Sequence, residues 1–187
     1  MKIQHQFTVD RHIETVWSFF QDIPAVADCL PGAELLESKG DDVHVGKVSV
    51  KLGPMTATFE GEATISPDAE AKRSTIAGKG VDKRGGSRGQ VSVEYVLEEA
   101  TEGGTRVDID ADVVLSGPAA QFGRTGLVNE ISKRLIAEFV ACLEGKLAAT
   151  SVEDAAAVKA DGDVNGIALF FAGLWAWFKK LLDRAAC

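Results

Sequence analysis

Between residues 33 and 116 apolar and polar side chains alternate with a period of two, in six consecutive runs at 33–38, 43–52, 55–67, 73–80, 90–99 and 105–115. Successive residues of a strand point to opposite faces of its sheet, so this alternation predicts a six-stranded meander and assigns its faces. Val48, Val50 and Leu52 share a face against Lys47, Ser49 and Lys51, and Met55, Ala57, Phe59, Ala63 and Ile65 oppose Thr56, Thr58, Glu60, Glu62 and Thr64. Val91, Val93, Tyr95 and Leu97, then Val107, Ile109, Ala111, Val113 and Leu115, repeat the pattern against Ser92, Glu94, Asp108, Asp110 and Asp112. One face is apolar and the other wet, and the apolar face requires a cover.

The flanking segments supply it. Residues 2–9 read as a further strand, after which Asp10 caps a helix whose apolar positions Ile13, Val16, Trp17 and Phe20 recur at helical spacing. A short helix fits Pro24 to Leu30 and is stopped by Pro31-Gly32. A long helix is expected from Pro118 to about Leu147, with Phe122, Leu127, Val128, Ile131, Leu135, Phe139, Cys142 and Leu143 as the stripe facing the sheet. The expected fold is α+β, a seven-stranded antiparallel sheet wrapped on a long C-terminal helix and occupying residues 1–147.

Residues 148–166 are small and acidic, without aromatics, which is the composition of a flexible linker. Residues 167–187 then begin with twelve uncharged, mostly large apolar residues ending at Phe178. As a helix that run spans roughly 18 Å, short of the ~30 Å hydrocarbon core of a bilayer. Leu169, Phe170, Phe171, Leu174, Trp175, Trp177 and Phe178, followed by Lys179 and Lys180, suit a helix lying in the membrane interface, with indoles at headgroup depth and lysines reaching anionic lipid. The competing reading is a helix that docks on the domain or on a partner.

Charge and motifs exclude several functions. The net charge is −8, with the last 21 residues at +2 and the preceding 166 at −10, so general nucleic-acid binding is not expected. Cys29, Cys142 and Cys187 have no metal-ligand spacing and are odd in number. Cys29 and Cys142 read as buried small apolar residues. The N-terminal stretch lacks the apolar region of a secretory signal, so the chain is expected in the cytoplasm with its thiols reduced. His5, His12 and His44 are scattered, without a zinc-type spacing, and no nucleophile elbow occurs. Neither metal nor catalytic residues are expected. The glycine-rich stretch at 78–89 has neither a phosphate-loop pattern nor a following helix, and reads as a hairpin loop whose Lys83, Arg84 and Arg88 face solvent, a membrane surface or an acidic partner. Ala57, Gly61, Ala63 and Ala111 are small residues of the inner face, and either a filled core or a dry gap beneath the long helix is compatible with them.

The element order is similar to the helix-grip fold of the START-like superfamily. Within it, LPGAELLE at 30–37, VKLGPMTATFEGEATI at 50–65, GKGVDKRGGSRGQVSVEYVL at 78–97 and GTRVDIDADVVLSGPAAQFG at 104–123 resemble the CoxG family of carbon monoxide dehydrogenase subunits. The resemblance implies an accessory protein that helps attach a molybdenum-containing carbon monoxide dehydrogenase, or a related hydroxylase, to the cytoplasmic membrane. Combined with the tail, it suggests an apolar cavity lined by Trp17, Phe20, Val50, Phe59, Tyr95, Phe122, Leu127, Val128, Ile131 and Leu135. The expected ligand is a respiratory quinone, menaquinone or ubiquinone, or a similar lipid, with no covalent cofactor. The linker, about 18 residues, would give a reach near 20–25 Å. The alternatives are a recruitment adaptor with a solid core, and a START-like enzyme of cyclase or hydrolase type, for which Tyr95 and His44 are the inward polar groups on this face assignment.

Overall fold

The computed structural model describes residues 1–149, apart from 41, 53, 54 and 125, together with residues 158 and 159. The expected membrane-binding residues from Leu169 to Lys180, and most of the expected linker, lie outside the described residues.

The described chain runs β1 (Lys2–Val9), α1 (Ile13–Gln21), α2 (Ile23–Cys29), β2 (Ala33–Gly40), β3 (Val43–Leu52), β4 (Met55–Asp68), β5 (Arg73–Asp82), β6 (Ser87–Glu99), β7 (Thr105–Ser116), a 3-10 helix (Gly117–Arg124) and α3 (Leu127–Ala148). The seven strands form one antiparallel sheet in the order β1-β7-β6-β5-β4-β3-β2. The first strand thus closes on the last, and α1 and α2 carry the chain to the opposite edge. Alternation places the strands well, because a one-sided sheet leaves its period in the sequence.

Helix boundaries differ from expectation where local hydrogen bonds compete. Asp10 does not cap α1. Arg11 N–H donates to Val9 O at 2.9 Å, a tight turn that delays the helix, and His12 becomes the cap by accepting the Glu14 N–H at its Nδ1, 3.3 Å away. Asp22 caps α2 through the Ala25 N–H at 3.1 Å, with Pro24 in the first turn where its missing N–H costs nothing. The long helix expected from Pro118 is divided. Gly126 takes a left-handed φ of 72°, so residues 117–124 form a separate 3-10 helix and α3 starts at Leu127.

The 3-10 helix is tied to the sheet by the Ala119 N–H donating to the buried Ser87 Oγ at 3.0 Å. α3 packs mainly on β1 and α2 rather than centrally over the sheet. Its C-terminal half carries the main core, where Phe139, Cys142 and Leu143 meet Val9, Val16, Trp17, Phe19, Phe20, Tyr95, Leu97 and Val107. Phe139 stands edge-on to Phe7 and Phe19 and 5.8 Å from Phe20, which packs on Tyr95 at 4.8 Å. A smaller cluster of Leu52, Ala57 and Ala119, joined by Phe59, Phe122 and Ile131, closes the other end.

One expectation about the core is corrected. Cys29 and Cys142 are both buried, as expected, but they are not free thiols: they form a disulfide joining α2 to α3. Their separation of 113 residues hides this in the sequence, since the pairing depends on where α2 crosses α3. Lys146 reinforces the junction by reaching Asp28 at 3.3 Å. Two residues from the expected linker also return to it: Val158 packs against the core and Lys159 pairs with Asp28 at 3.2 Å.

Candidate ligand cavity

Four glycines determine the space beneath α3. Gly46, Gly61, Gly80 and Gly89 lie directly opposite one another across β3, β4, β5 and β6. Alternation puts them on the inner face with Val50, Phe59, Ile76 and Val91. A side chain at such positions would extend toward the helix, so a row of glycines leaves the middle of the sheet bare. At Gly61 the backbone itself demands glycine, because an added Cβ would fall 1.9 Å from Lys79 O and 2.6 Å from Gly80 Cα. Gly89 is different. A Cβ there would make only ordinary 3.5 Å contacts with Leu115 and Phe59, so its consequence is volume rather than close packing.

The result is a cavity of about 480 Å³ between the sheet and the N-terminal half of α3. β3, β4 and β5 supply Val48, Val50, Leu52, Phe59, Ala63, Ile65 and Ile76, the helix supplies Val128, Ile131 and Leu135, and Ile3, Val113 and Leu115 complete the β1–β7 side. α2 forms a wall through Ile23, Val26, Ala27 and Leu30. Leu30 and Val48 line the cavity yet remain 40% and 41% exposed, which marks its apolar mouth between α2 and β3. The disulfide and the Asp28–Lys146 pair hold the α2 wall against α3.

Of the ten residues expected to line a cavity, Val50, Phe59, Val128, Ile131 and Leu135 do so. Trp17, Phe20 and Tyr95 do not: they fill the core under the C-terminal half of α3, where aromatic rings from α1 and β6 occupy the space the glycine row leaves empty further along. Phe122 packs with Phe59 and Ile131 in the smaller cluster, and Leu127 begins α3; neither lines the cavity. The alternation of apolar residues cannot separate these two halves. The signal that does is the register of the glycines, two of which, Gly80 and Gly89, fall in the glycine-rich stretch that the sequence pattern reads as a hairpin loop. In the structure β5 runs to Asp82 and β6 starts at Ser87, so Gly78, Gly80 and Gly89 belong to strands. The turn itself is held by the buried Asp82, whose Oδ1 accepts the N–H groups of Arg84 and Gly85 at 3.1 and 2.9 Å. Lys83, Arg84 and Arg88 are exposed, and Lys83 lies 3.5 Å from Glu60.

Polar groups near the cavity are few. His44 shares the inner face of β3 with Val50 and Leu52 and lines the cavity, its Nδ1 3.0 Å from Ser38 Oγ. Ser132 lines the wall at α3. Its hydroxyl lies 2.9 Å from His5 Nε2 on β1 and donates to Asn129 O, also at 2.9 Å. Nothing in the sequence announces this pair, because it depends on the docking of α3 against β1. Tyr95 is buried in the core, and burial pushes its hydroxyl above the usual tyrosine range, against a smaller opposing influence of the neighbouring Ser74 and Gln21 side chains. Among the described residues no cluster of side chains could hold a metal ion, and no helix is long and apolar enough to cross a membrane.

Known proteins share this architecture. The model of the CoxG family of carbon monoxide dehydrogenase subunits matches residues 6–148. No curated protein matches the chain. Among solved structures, it is similar to a conserved protein from Geobacillus kaustophilus at 16% identity and a TM-score of 0.70, over 79% of this chain and 95% of that one. A Thermus thermophilus protein aligns at 16% identity and a TM-score of 0.58, over 81% and 100% of the two chains. The Zhui aromatase/cyclase from Streptomyces sp. R1128 aligns at 17% identity and a TM-score of 0.56, over 81% and 98%. At these identities the likeness shows the fold, which is START-like.

Proposed function

Because this chain belongs to the CoxG family of carbon monoxide dehydrogenase subunits, we propose that it is a membrane-tethered accessory protein that binds a respiratory quinone and recruits the dehydrogenase to the membrane. Family membership and the START-like fold support a ligand-binding accessory role. The finer reading adds the ligand, menaquinone or ubiquinone, the cytoplasmic face of the cell membrane, and a partner enzyme that passes its electrons to the quinone.

The observation that carries the reading is the cavity. At about 480 Å³, with a lining that is almost wholly aliphatic and aromatic, it has the size and chemistry of a small-molecule site. A recruitment adaptor would need no such volume, and close packing of interiors makes an unfilled space of this size unusual in a structural core. The position of the mouth also favours the reading. α2 carries the apolar rim at Leu30, and Lys159, eight residues before the apolar run that begins at Ile167, is paired to Asp28 on that same helix. A tail inserted in the interface would hold the mouth near lipid, where a quinone can enter without crossing water. Catalysis in the cavity has less support: His44 and His5 are paired with serines, and among the described residues neither has a carboxylate partner to orient it as a base.

Native mass spectrometry of the full chain purified from its own membranes tests the reading. A mass increment equal to one quinone is the expected result, and a chain carrying neither quinone nor lipid would favour the recruitment adaptor instead.

A further inference from the structure

Resting on the carrier reading, we propose that His44 is the residue by which the cavity recognises a ring carbonyl, and that Ser38 positions it. An apolar cavity retains any greasy molecule of suitable size, and discrimination then falls to the few polar groups it presents. Glu34, Lys47, Glu62, Lys79 and Gln90 also border it, but alternation turns their side chains to the outer face of the sheet, which leaves two side chains as candidates. Ser132 is already committed on both sides, to His5 and to Asn129 O. His44 is committed on one side only: Ser38 Oγ engages Nδ1, and among the described residues Nε2 has no partner.

The proposal assigns His44 the tautomer in which the Ser38 hydroxyl is the donor. When the Ser38 hydroxyl donates to Nδ1, the ring proton resides on Nε2 and the free edge of the imidazole is a donor. A carbonyl oxygen accepts from it, whereas a hydrocarbon or a simple acyl chain gains nothing. His44 stands two residues from Gly46 on the same face of β3 and opposite Ala63 on β4, so the space beside it is bare of bulky side chains and admits a flat ring. The class of ligand selected is therefore a planar cyclic ketone or quinone with an apolar substituent directed along the cavity.

The test compares two probes of nearly the same shape, menadione and 2-methylnaphthalene, binding to the full chain by equilibrium dialysis. The native protein should prefer menadione. His44→Phe should lower menadione affinity roughly five- to tenfold, the worth of one neutral hydrogen bond, while leaving 2-methylnaphthalene unchanged. His44→Gln, which keeps an N–H donor, should recover part of the preference, and Ser38→Ala should weaken it without abolishing binding. A general loosening of the site would shift both probes together, so the ratio separates recognition from structure. Equal affinity for the two probes in the native protein, or an unchanged ratio in His44→Phe, overturns this role for His44 while leaving the carrier reading in place. Failure of the native chain to bind either probe overturns both.

Discussion

Gly61 and Gly80 face each other across β4 and β5 so closely that a Cβ on Gly61 would lie 2.6 Å from the Gly80 Cα. Gly61→Ala is therefore expected to destabilise the fold by about 1–3 kcal/mol, the usual cost of overpacking. Gly89→Ala, in the same row but with only 3.5 Å contacts, should be neutral or stabilising by about 0.4–1 kcal/mol, because it restricts the unfolded chain. Urea unfolding of the two variants checks the contrast; equal destabilisation would contradict it.

The Cys29–Cys142 bond closes a loop with a sequence separation of 113 residues and pins the α2 wall of the cavity to α3. Reduction, or Cys142→Ser, should lower stability by about 2–5 kcal/mol. Denaturant titration with and without dithiothreitol reads this, and identical midpoints would contradict it. If the protein works on the cytoplasmic face, both residues should be thiols in intact cells and pair on oxidation. Alkylation before lysis distinguishes the two states, and a bond already formed in cells would contradict the placement.

Tyr95 gives the fold an alkaline limit. Burial raises its pKa above the ordinary tyrosine value of 10.0, so the folded state holds the proton at a pH where the unfolded chain has released it. The associated stability is complete below the unfolded value and is lost as pH rises through the folded one. The thermal midpoint should fall above about pH 10 and fall less steeply in Tyr95→Phe. A profile that is the same in both proteins would remove Tyr95 as the cause.

Features that are local in the chain are legible in its sequence, and those that depend on docking are not. Strand positions and faces can be read because alternation is a property of neighbours: the runs at 43–52 and 55–67 match Val43–Leu52 and Met55–Asp68 almost to the residue. The cavity cannot be read, because its floor depends on Gly46, Gly61, Gly80 and Gly89 falling in register, which four separate strands decide together. For the same reason Trp17, Phe20 and Tyr95 look equivalent to Phe59 and Ile131 in the sequence, although the first three fill the core and the others bound the void. The disulfide and the His5–Ser132 pair, separated by 113 and 127 residues, are likewise products of helix docking.

The proposed tether rests on residue chemistry at 167–187. A chain ending at Lys159 keeps every described element and should remain in the supernatant when mixed with vesicles containing anionic lipid, whereas the full chain sediments with them. Added salt should weaken the full chain's binding only in part, since apolar burial contributes alongside Lys179 and Lys180. Equal sedimentation of the two chains would contradict the tether.

The most direct test of a quinone carrier is the quinone content of the cavity itself. Organic extraction of the full chain purified from native membranes, beside a Gly89→Leu variant that fills the glycine row, measures it by chromatography. Close to one quinone per native chain is expected, with a marked loss in a variant that retains its fold. Quinone absent from the native protein, or present equally in both, would contradict the carrier role.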